Sequence, residues 1–476
     1  MGFALANRDP QNPWGRVTPL DRFLFVFQLM RHEGRVSGVK SLGSSPWTKR
    51  PSSLFFGIYI ADFHEIWQYW DWFSGSNRGN LLYFKRVIDF ESTLARKSFF
   101  LLGPRQTGKS TLLKHRFPDA HYFDLLSPAL YLKFKSSPNQ FAKEIDYAYR
   151  VDEKRIFIID EVQKLPELLD EVHRQIELHK DIRFILTGSS ARKLKKAGIN
   201  LLGGRAARFY LHPLVYPEFN PAVYWDNFEK NLTYGFLPSV LLSPDPWADL
   251  NDYVGLYLKE EIQQEAIARS LDGFSRFLNT VATTNAEQVN FTQVGNDAQV
   301  PPRTVREYYQ VLEDTLIGRL VPAFTGTVKR KAMTSAKFYL FDPGVTNVLL
   351  GRKTVSRKTK EYGGLLEQVL FGELSAYFDY QGISDRISYW RSTSKFEVDF
   401  VVRHDSGQYT GIEIKSTSRP SGHDFKGLIA LSQEVSLARK IVVCLADEPR
   451  LEDSEIEVLP VPKFLARLWQ GAFFTE

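Results

Sequence analysis

Along most of this chain apolar residues fall in short runs, and the spacing inside those runs changes from region to region. Between Tyr83 and about Pro238, uninterrupted apolar stretches such as residues 99–102, 156–159 and 184–186 alternate with stretches at helical spacing. Apolar runs of strand length suit strands buried on both faces of a sheet. Their alternation with helices predicts an α/β architecture: a parallel sheet with helices on both sides. The segment Tyr234-Gly235-Phe236-Leu237-Pro238 reads as a boundary. From Pro246 to about Gly351 the period changes. Residues 250–262 carry apolar side chains at helical spacing, and residues 290–296 and 300–312 read as a short helix, a turn with Pro301 and Pro302, and a longer helix. Further on, residues 364–370 look helical, 395–402 and 411–415 read as strands, and Asp405-Ser406-Gly407 as the hairpin between them. The expected divisions are 1–81, 82–240, 241–350 and 351–476.

The first stretch, 1–81, differs from the rest. It holds Trp14, Trp47, Trp67, Trp70 and Trp72 but no clear amphipathic helix or alternating strand. It reads either as an extension, including one translated from a misplaced start, or as a small aromatic-rich binding module. A truncate from Leu82 that fails to fold would speak against the first reading.

Composition adds bounds. A chain of 476 residues exceeds one compact core, and 43% hydrophobic with 24% charged residues is typical of a soluble globular protein. The net charge of +6 permits nucleic-acid contact without requiring it. The single cysteine, Cys444, excludes an intrachain disulfide and lies in an apolar run that predicts a buried strand. This fits a reducing cytoplasm, the expected location. No apolar stretch reaches the roughly 20 residues of a membrane span. The apolar run 23–30 is short and no small-residue cleavage site follows it, so no membrane role is expected.

The densest chemical signal is residues 99–111, Phe-Phe-Leu-Leu-Gly-Pro-Arg-Gln-Thr-Gly-Lys-Ser-Thr, which fits G-x-x-x-x-G-K-S/T with no mismatch. The strand–loop–helix context is that of a phosphate-binding P-loop. Residues Gly103, Pro104, Arg105, Gln106, Thr107, Gly108, Lys109, Ser110 and Thr111 would surround a polyphosphate with backbone N–H groups and a helix N-terminus. Lys109 would reach the β- and γ-phosphates, and the Ser110 hydroxyl would hold Mg²⁺.

A second run, residues 155–159, ends in Asp160 and Glu161, at the sheet end where open α/β folds bind ligands. Asp160 would hold the Mg²⁺ shell and Glu161 would orient and deprotonate the attacking water. The plainer reading is a surface pair capping the next helix. A third run, 183–186, leads into Thr187-Gly188-Ser189-Ser190. Thr187 would sense the γ-phosphate, or the tetrapeptide is a turn into a helix; both can hold. Arg205 is a candidate finger on the γ-phosphate, in cis or in trans, against the alternative of a solvated charge.

The motifs Gly103–Ser110, Asp160–Gln163, Thr187–Ser190 and Leu202-Gly203-Gly204-Arg205-Ala206 resemble those of a prokaryotic group of AAA-type ATPases. The resemblance runs from about residue 82 to the end. It implies an ATPase using ATP and Mg²⁺, followed by a domain of uncharacterised function with a nuclease-like core. The helix–turn–helix over 290–312 resembles a winged-helix unit. Arg303 and Arg306 would face outward where recognition helices meet DNA, although the same unit also serves protein contacts.

In the last domain Glu413 and Lys415 share one face of a strand. An antiparallel neighbour would bring Asp399 close, and Glu367 would add a third carboxylate from a helix. Asp399 and Glu413 would hold a divalent metal and Lys415 would steady a developing anion. The set looks like the PD-(D/E)xK nuclease core, a restriction-endonuclease-like α/β fold. Glu397 departs from that pattern.

Two functions are therefore expected. One is an ATPase coupled to a DNA-acting, nuclease-like module. The other is a nucleotide-dependent interaction protein whose last domain only docks partners or DNA. Protein partners, the nucleic-acid substrate and the oligomeric state stay open.

Overall fold

The computed structural model describes residues 83–190, 204–258, 271–327 and 332–474. The expectation for residues 1–81 lies outside them, as does residue 82. Residues 81–476 cluster as one unit, so the divisions near 240 and 350 fall inside a continuous body.

The first layer is a five-stranded sheet: β1 (Ser98–Leu102), β2 (His121–Asp124), β3 (Ile156–Asp160), β4 (Arg183–Gly188) and β5 (Ala206–Tyr210), in the order β2-β3-β4-β1-β5. Every pairing is parallel, as the apolar runs imply. Strands β1 and β4 are almost wholly buried, since helices cover both faces. Helix α1 (Lys109–Arg116) follows the glycine loop, and α2 (Pro138–Arg150) and α3 (Leu168–Leu178) pack on the sheet with Phe141, Ile145 and Leu169 inward.

The middle region holds α4 (Leu271–Thr283), α5 (Phe291–Ala298) and α6 (Pro302–Asp314). Asn290 caps α5 by accepting from the Thr292 and Gln293 amides, and Pro302 starts α6, as the prolines predict. The antiparallel pair β6 (Gly318–Val321) and β7 (Lys337–Leu340) follows, and Gln288 bridges to Lys337 beside it. The helical spacing read from residue 250 is realised as Pro246–Asp252 running into a π-turn at Tyr253–Leu258.

The last region begins with α7 (Tyr362–Tyr380) and builds a six-stranded sheet from β8 (Ile387–Arg391), β9 (Glu397–Arg403), β10 (Tyr409–Ile414), β11 (Leu437–Cys444), β12 (Arg450–Glu452) and β13 (Ile456–Pro460). Strands β8, β9 and β10 are an antiparallel meander, and β10, β11 and β13 are parallel. Helix α8 (Lys426–Ser432) connects β10 to β11, and α9 (Val461–Trp469) packs Phe464 and Leu468 into the core. Cys444 is fully buried at the end of β11. One core joins Leu214 and Tyr224 to Leu366, Phe371 and Phe464, so the first and last regions share an interior. Among the described residues no helix is long and apolar enough to cross a membrane.

Candidate functional site

The glycine loop lies between β1 and α1, at the carboxyl end of the parallel sheet. Its shape depends on two glycines. A Cβ on Gly103 would meet the Leu211 carbonyl oxygen at 2.5 Å, and Gly108 has φ +89°, a left-handed conformation that favours glycine. Gly108 precedes the first turn of α1, and no side chain caps that turn. Its positive end is therefore presented to the loop. Lys109 is buried and curls back over the loop, with Nζ 2.7 Å from Gly103 O and 2.9 Å from Pro104 O. Thr107 Oγ1 donates to Pro104 O at 2.9 Å, and Gln106 Oε1 accepts from Ser239 at 2.8 Å. Arg105 and Ser110 are half-buried and Thr111 is exposed.

Asp160 ends β3 and is buried. Thr187 donates to one of its oxygens and the Tyr122 hydroxyl to the other. Burial and the Asp160 carboxylate raise the Tyr122 hydroxyl far above its ordinary pKa, and a bond to Ser110 works against them. Tyr122 thus stands between Ser110 and Asp160. Glu161 takes φ +60°, uncommon for a side-chain-bearing residue, and its amide donates to Thr187 Oγ1 at 3.0 Å. The Gln163 amide holds the Glu161 carboxylate and reaches Ser189 Oγ at 3.2 Å. Gly188 keeps room for that amide, since a Cβ there would meet Gln163 Oε1 at 2.6 Å. Thr187 accordingly touches both acidic positions.

Arg205 requires a correction. It precedes β5, whose first residue, Ala206, pairs with Ser98 at the start of β1. The glycine loop follows the far end of β1, roughly 13 Å away at 3.3 Å per residue. Arg205 pairs instead with Glu177 on the surface. A finger in cis is excluded by this placement, because parallel strands put the start of β5 at the wrong edge.

An arginine with no motif around it is built into the site. Arg86 is 4% exposed. It donates to Thr107 O at 2.7 Å, His212 O at 2.7 Å and the Tyr380 hydroxyl at 3.2 Å, and pairs with Glu218 at 2.9 Å. Burial opposes its charge, but Glu218 and Tyr380 more than offset that and raise its pKa. Beside it, His212 Nε2 and Arg319 lie 2.7 and 2.8 Å from Asp379. Burial pushes the Asp379 carboxyl up, and those two partners bring it below the ordinary carboxylate range. Asp379 and Tyr380 end α7, so the loop is hydrogen-bonded to the helix that opens the last region.

The same helix carries Glu367 near its other end. The structure brings Glu367, Asp399, Glu413 and Lys415 together across α7, β9 and β10. Asp399 lies one step past the Phe400–Ile412 pair and accepts from the Ile414 amide at 2.8 Å. Lys415 Nζ is 2.5 Å from Glu413 Oε1, while the buried Glu413 Oε2 has no hydrogen-bond partner. Lys337, from β7, lies 3.0 Å from Glu367, 2.8 Å from Glu397 and 3.5 Å from Asp399, and the Tyr339 hydroxyl reaches Glu367 at 2.6 Å. Burial and the Asp399 charge push the Glu367 carboxyl up to about 7, against the pull of Lys337 and Tyr339. Burial, then Asp399, raises Glu413 well above its ordinary value.

The two sites differ in their fit to a divalent ion. At the loop, a hydroxyl and a carboxylate bonded only through neutral hydroxyls suit Mg²⁺ carried by a nucleotide. In the last region the carboxylates are already turned to ammonium groups. Among the described residues no group of three or more His, Cys, Asp or Glu side chains is arranged to hold a metal ion. Asp399 faces Lys337 at 3.5 Å and Glu413 faces Lys415 at 2.5 Å, so as arranged the two carboxylates do not fit a resident metal.

Residues 95–220 match a family model described as an AAA domain. Residues 226–356 and 362–464 match two models described as domains of unknown function, DUF8612 and DUF4143. An uncharacterized protein of Haemophilus influenzae is 24% identical over 413 residues, covering 80% of this chain and 97% of that protein. Among solved structures, a Signal Transduction ATPase with Numerous Domains (STAND) protein with a tetratricopeptide repeat sensor from Pyrococcus horikoshii is 13% identical. That match covers 65% of this chain and 49% of the other, with a TM-score of 0.20. The McrB AAA+ hexamers with bound McrC from Thermococcus gammatolerans are 9% identical, covering 56% and 79%, with a TM-score of 0.22. The S. cerevisiae Hsp104-ADP complex is 13% identical, covering 63% and 44%, with a TM-score of 0.23. Likeness at these TM-scores bears no weight. The AAA match coincides with the parallel sheet and its loop, and the chain carries an AAA-type P-loop domain.

Proposed function

We propose that this chain is an ATP-hydrolysing switch whose phosphate loop reports its state to the last region through Arg86. The observation that carries this is one guanidinium bonded both to the loop carbonyl of Thr107 and to Tyr380 on α7. The loop amides and Lys109 would bind the phosphates, with Lys109 exchanging its two carbonyl partners for phosphate oxygens. Ser110 and Asp160 would hold Mg²⁺, which supplies charge neutralisation at the phosphates. Glu161, released from Gln163, would take the proton of the attacking water. A loop that moves to close on phosphates moves the Thr107 carbonyl, and α7 is then pulled through Tyr380.

The test is hydrogen exchange over residues 362–380 with and without a non-hydrolysable ATP analogue. The expected result is changed exchange in the wild type and none in Arg86→Lys, with analogue binding retained in both. Unchanged exchange in the wild type, with the analogue bound, overturns the proposal.

A second reading, action on DNA, is supported by helix placement. Helices α4 to α6 with β6 and β7 follow a winged-helix order, and Arg303 and Arg306 at the start of α6 are exposed. Helix α7, the three antiparallel strands, α8 and β11 follow the order of the PD-(D/E)xK core. In this reading the helices hold DNA and the last domain docks it without cutting. Loss of duplex binding in Arg303→Ala/Arg306→Ala, with a smaller salt slope, is the expected sign. Equal binding by both proteins would remove this reading.

A further inference from the structure

The carboxylates of the last region are where the sequence pattern expects a divalent metal. Their cation is a side chain from a different part of the chain. Lys337 belongs to β7, separated along the chain from β9, which carries Asp399, by two helices and β8. Its side chain is 4% exposed, donates to Glu367 and pairs by charge with Glu397 and Asp399. Glu397, which has no place in the nuclease pattern, makes the shortest of these contacts and also pairs with Arg391 at 3.5 Å. The strand that carries Lys337 is tied to the middle region: Gln288 bridges to it and the Val289 amide donates to Ala336 O at 2.8 Å.

We propose that Lys337 takes the place of a divalent cation in this cluster, so that the last region, with β7 docked on it, holds no metal there. The β6–β7 pair is then a plug: it supplies one positive charge to the carboxylates and ties the middle region to the last one. The unpartnered oxygen of Glu413 is the position from which the cluster would accept a true metal once the lysine charge is removed.

Mn²⁺ is the probe, with nucleotide-free full-length protein. Bound ion is counted by electron paramagnetic resonance, and the thermal unfolding midpoint is followed with and without Mn²⁺. Wild type and Asp399→Asn are expected to bind Mn²⁺ indistinguishably. Lys337→Met is expected to unfold at a lower midpoint that Mn²⁺ raises again, and Lys337→Met/Asp399→Asn to show no such response. The proposal is overturned if wild-type protein binds Mn²⁺ and Asp399→Asn loses it. It is equally overturned if folded Lys337→Met shows no shift with Mn²⁺. Should Lys337→Met fail to fold under either condition, the wild-type and Asp399→Asn pair decides alone.

Discussion

The phosphate-loop site and the carboxylate cluster of the last region share their parts: acidic residues on strands, a lysine within reach, and burial. They differ in what those groups touch. Lys109 donates to two backbone carbonyls, and Asp160 accepts from the hydroxyls of Thr187 and Tyr122. Such partners carry no opposite charge, so a phosphate or Mg²⁺ that replaces them adds a Coulomb attraction they do not supply. In the last region each charge already faces its opposite: Lys337 with Glu367, Glu397 and Asp399, and Lys415 with Glu413. Breaking one partner there strands an uncompensated buried charge. The first site presents a loop and a helix end to a ligand from outside, and the second is held by its own opposite charges except at one Glu413 oxygen. A count of carboxylates cannot tell these apart; the nature of their partners can.

The strongest way to break this contrast is to show that the first site does not do chemistry. Glu161→Gln keeps the shape and removes the base, so turnover should fall by about 10²–10⁴-fold with ATP binding retained. Steady-state phosphate release beside equilibrium nucleotide binding checks it. Normal turnover would move the base elsewhere. Lys109→Ala should weaken nucleotide binding by about 10–100-fold, the value of losing a charged hydrogen-bond donor. Plasmid DNA in the same reactions should stay intact with Mg²⁺ or Mn²⁺. Nicking that Asp399→Ala abolishes would make the last region a nuclease and end the contrast.

Much of the first site was legible because its residues are contiguous. The loop, Asp160 with Glu161, and Thr187 each close an apolar run, and parallel strands bring their ends together. The residues that couple this site to the rest carry no local signal. Arg86 precedes the loop as an ordinary charge, and its bond to Tyr380 spans 294 residues of sequence. Tyr122 reads as any strand aromatic. Lys337 does carry a local signal: it stands in Lys337-Phe338-Tyr339-Leu340, a strand otherwise apolar or aromatic. Alternation puts Lys337 and Tyr339 on one face, and both contact Glu367. A lysine committed to a buried face needs a carboxylate, and Glu367 supplies one. The place of Arg205 was hidden for a related reason. Its order after the third strand was visible, but the strand end it occupies was not.

Helix α7 joins the two regions, and Glu373 at its middle sharpens the contrast through pH. Glu373 accepts from the Tyr216 amide at 2.8 Å and from Trp469 Nε1 at 2.7 Å. Burial nevertheless pushes its carboxyl up to about 8. A raised folded-state pKa means the native protein binds the proton more tightly than the unfolded chain. The contribution is full below the unfolded value of about 4.5 and is lost as pH rises through about 8. Stability should therefore fall between pH 5 and 8, by an amount on the order of a few kcal/mol at most. Glu373→Gln should flatten that slope in denaturant titrations. A slope unchanged by the substitution would place the titrating group elsewhere.

The smallest effect is expected at Arg205. Its pair with Glu177 is exposed, with side chains 42% and 45% accessible, and such pairs contribute about 0–1 kcal/mol. Arg205→Ala should leave stability within about 0.5 kcal/mol of wild type. Its catalytic reading depends on concentration. Within one copy the arginine is at the wrong sheet edge, so dilute protein should turn over ATP at the wild-type rate. If activity per chain rises with concentration in the wild type and not in Arg205→Ala, the arginine completes the loop site of a neighbouring copy. The first site would then be prepared to take a second chain's charge as well as a nucleotide. If the two proteins match at every concentration, Arg205 is a surface charge and the loop site works with the residues its own sheet gathers.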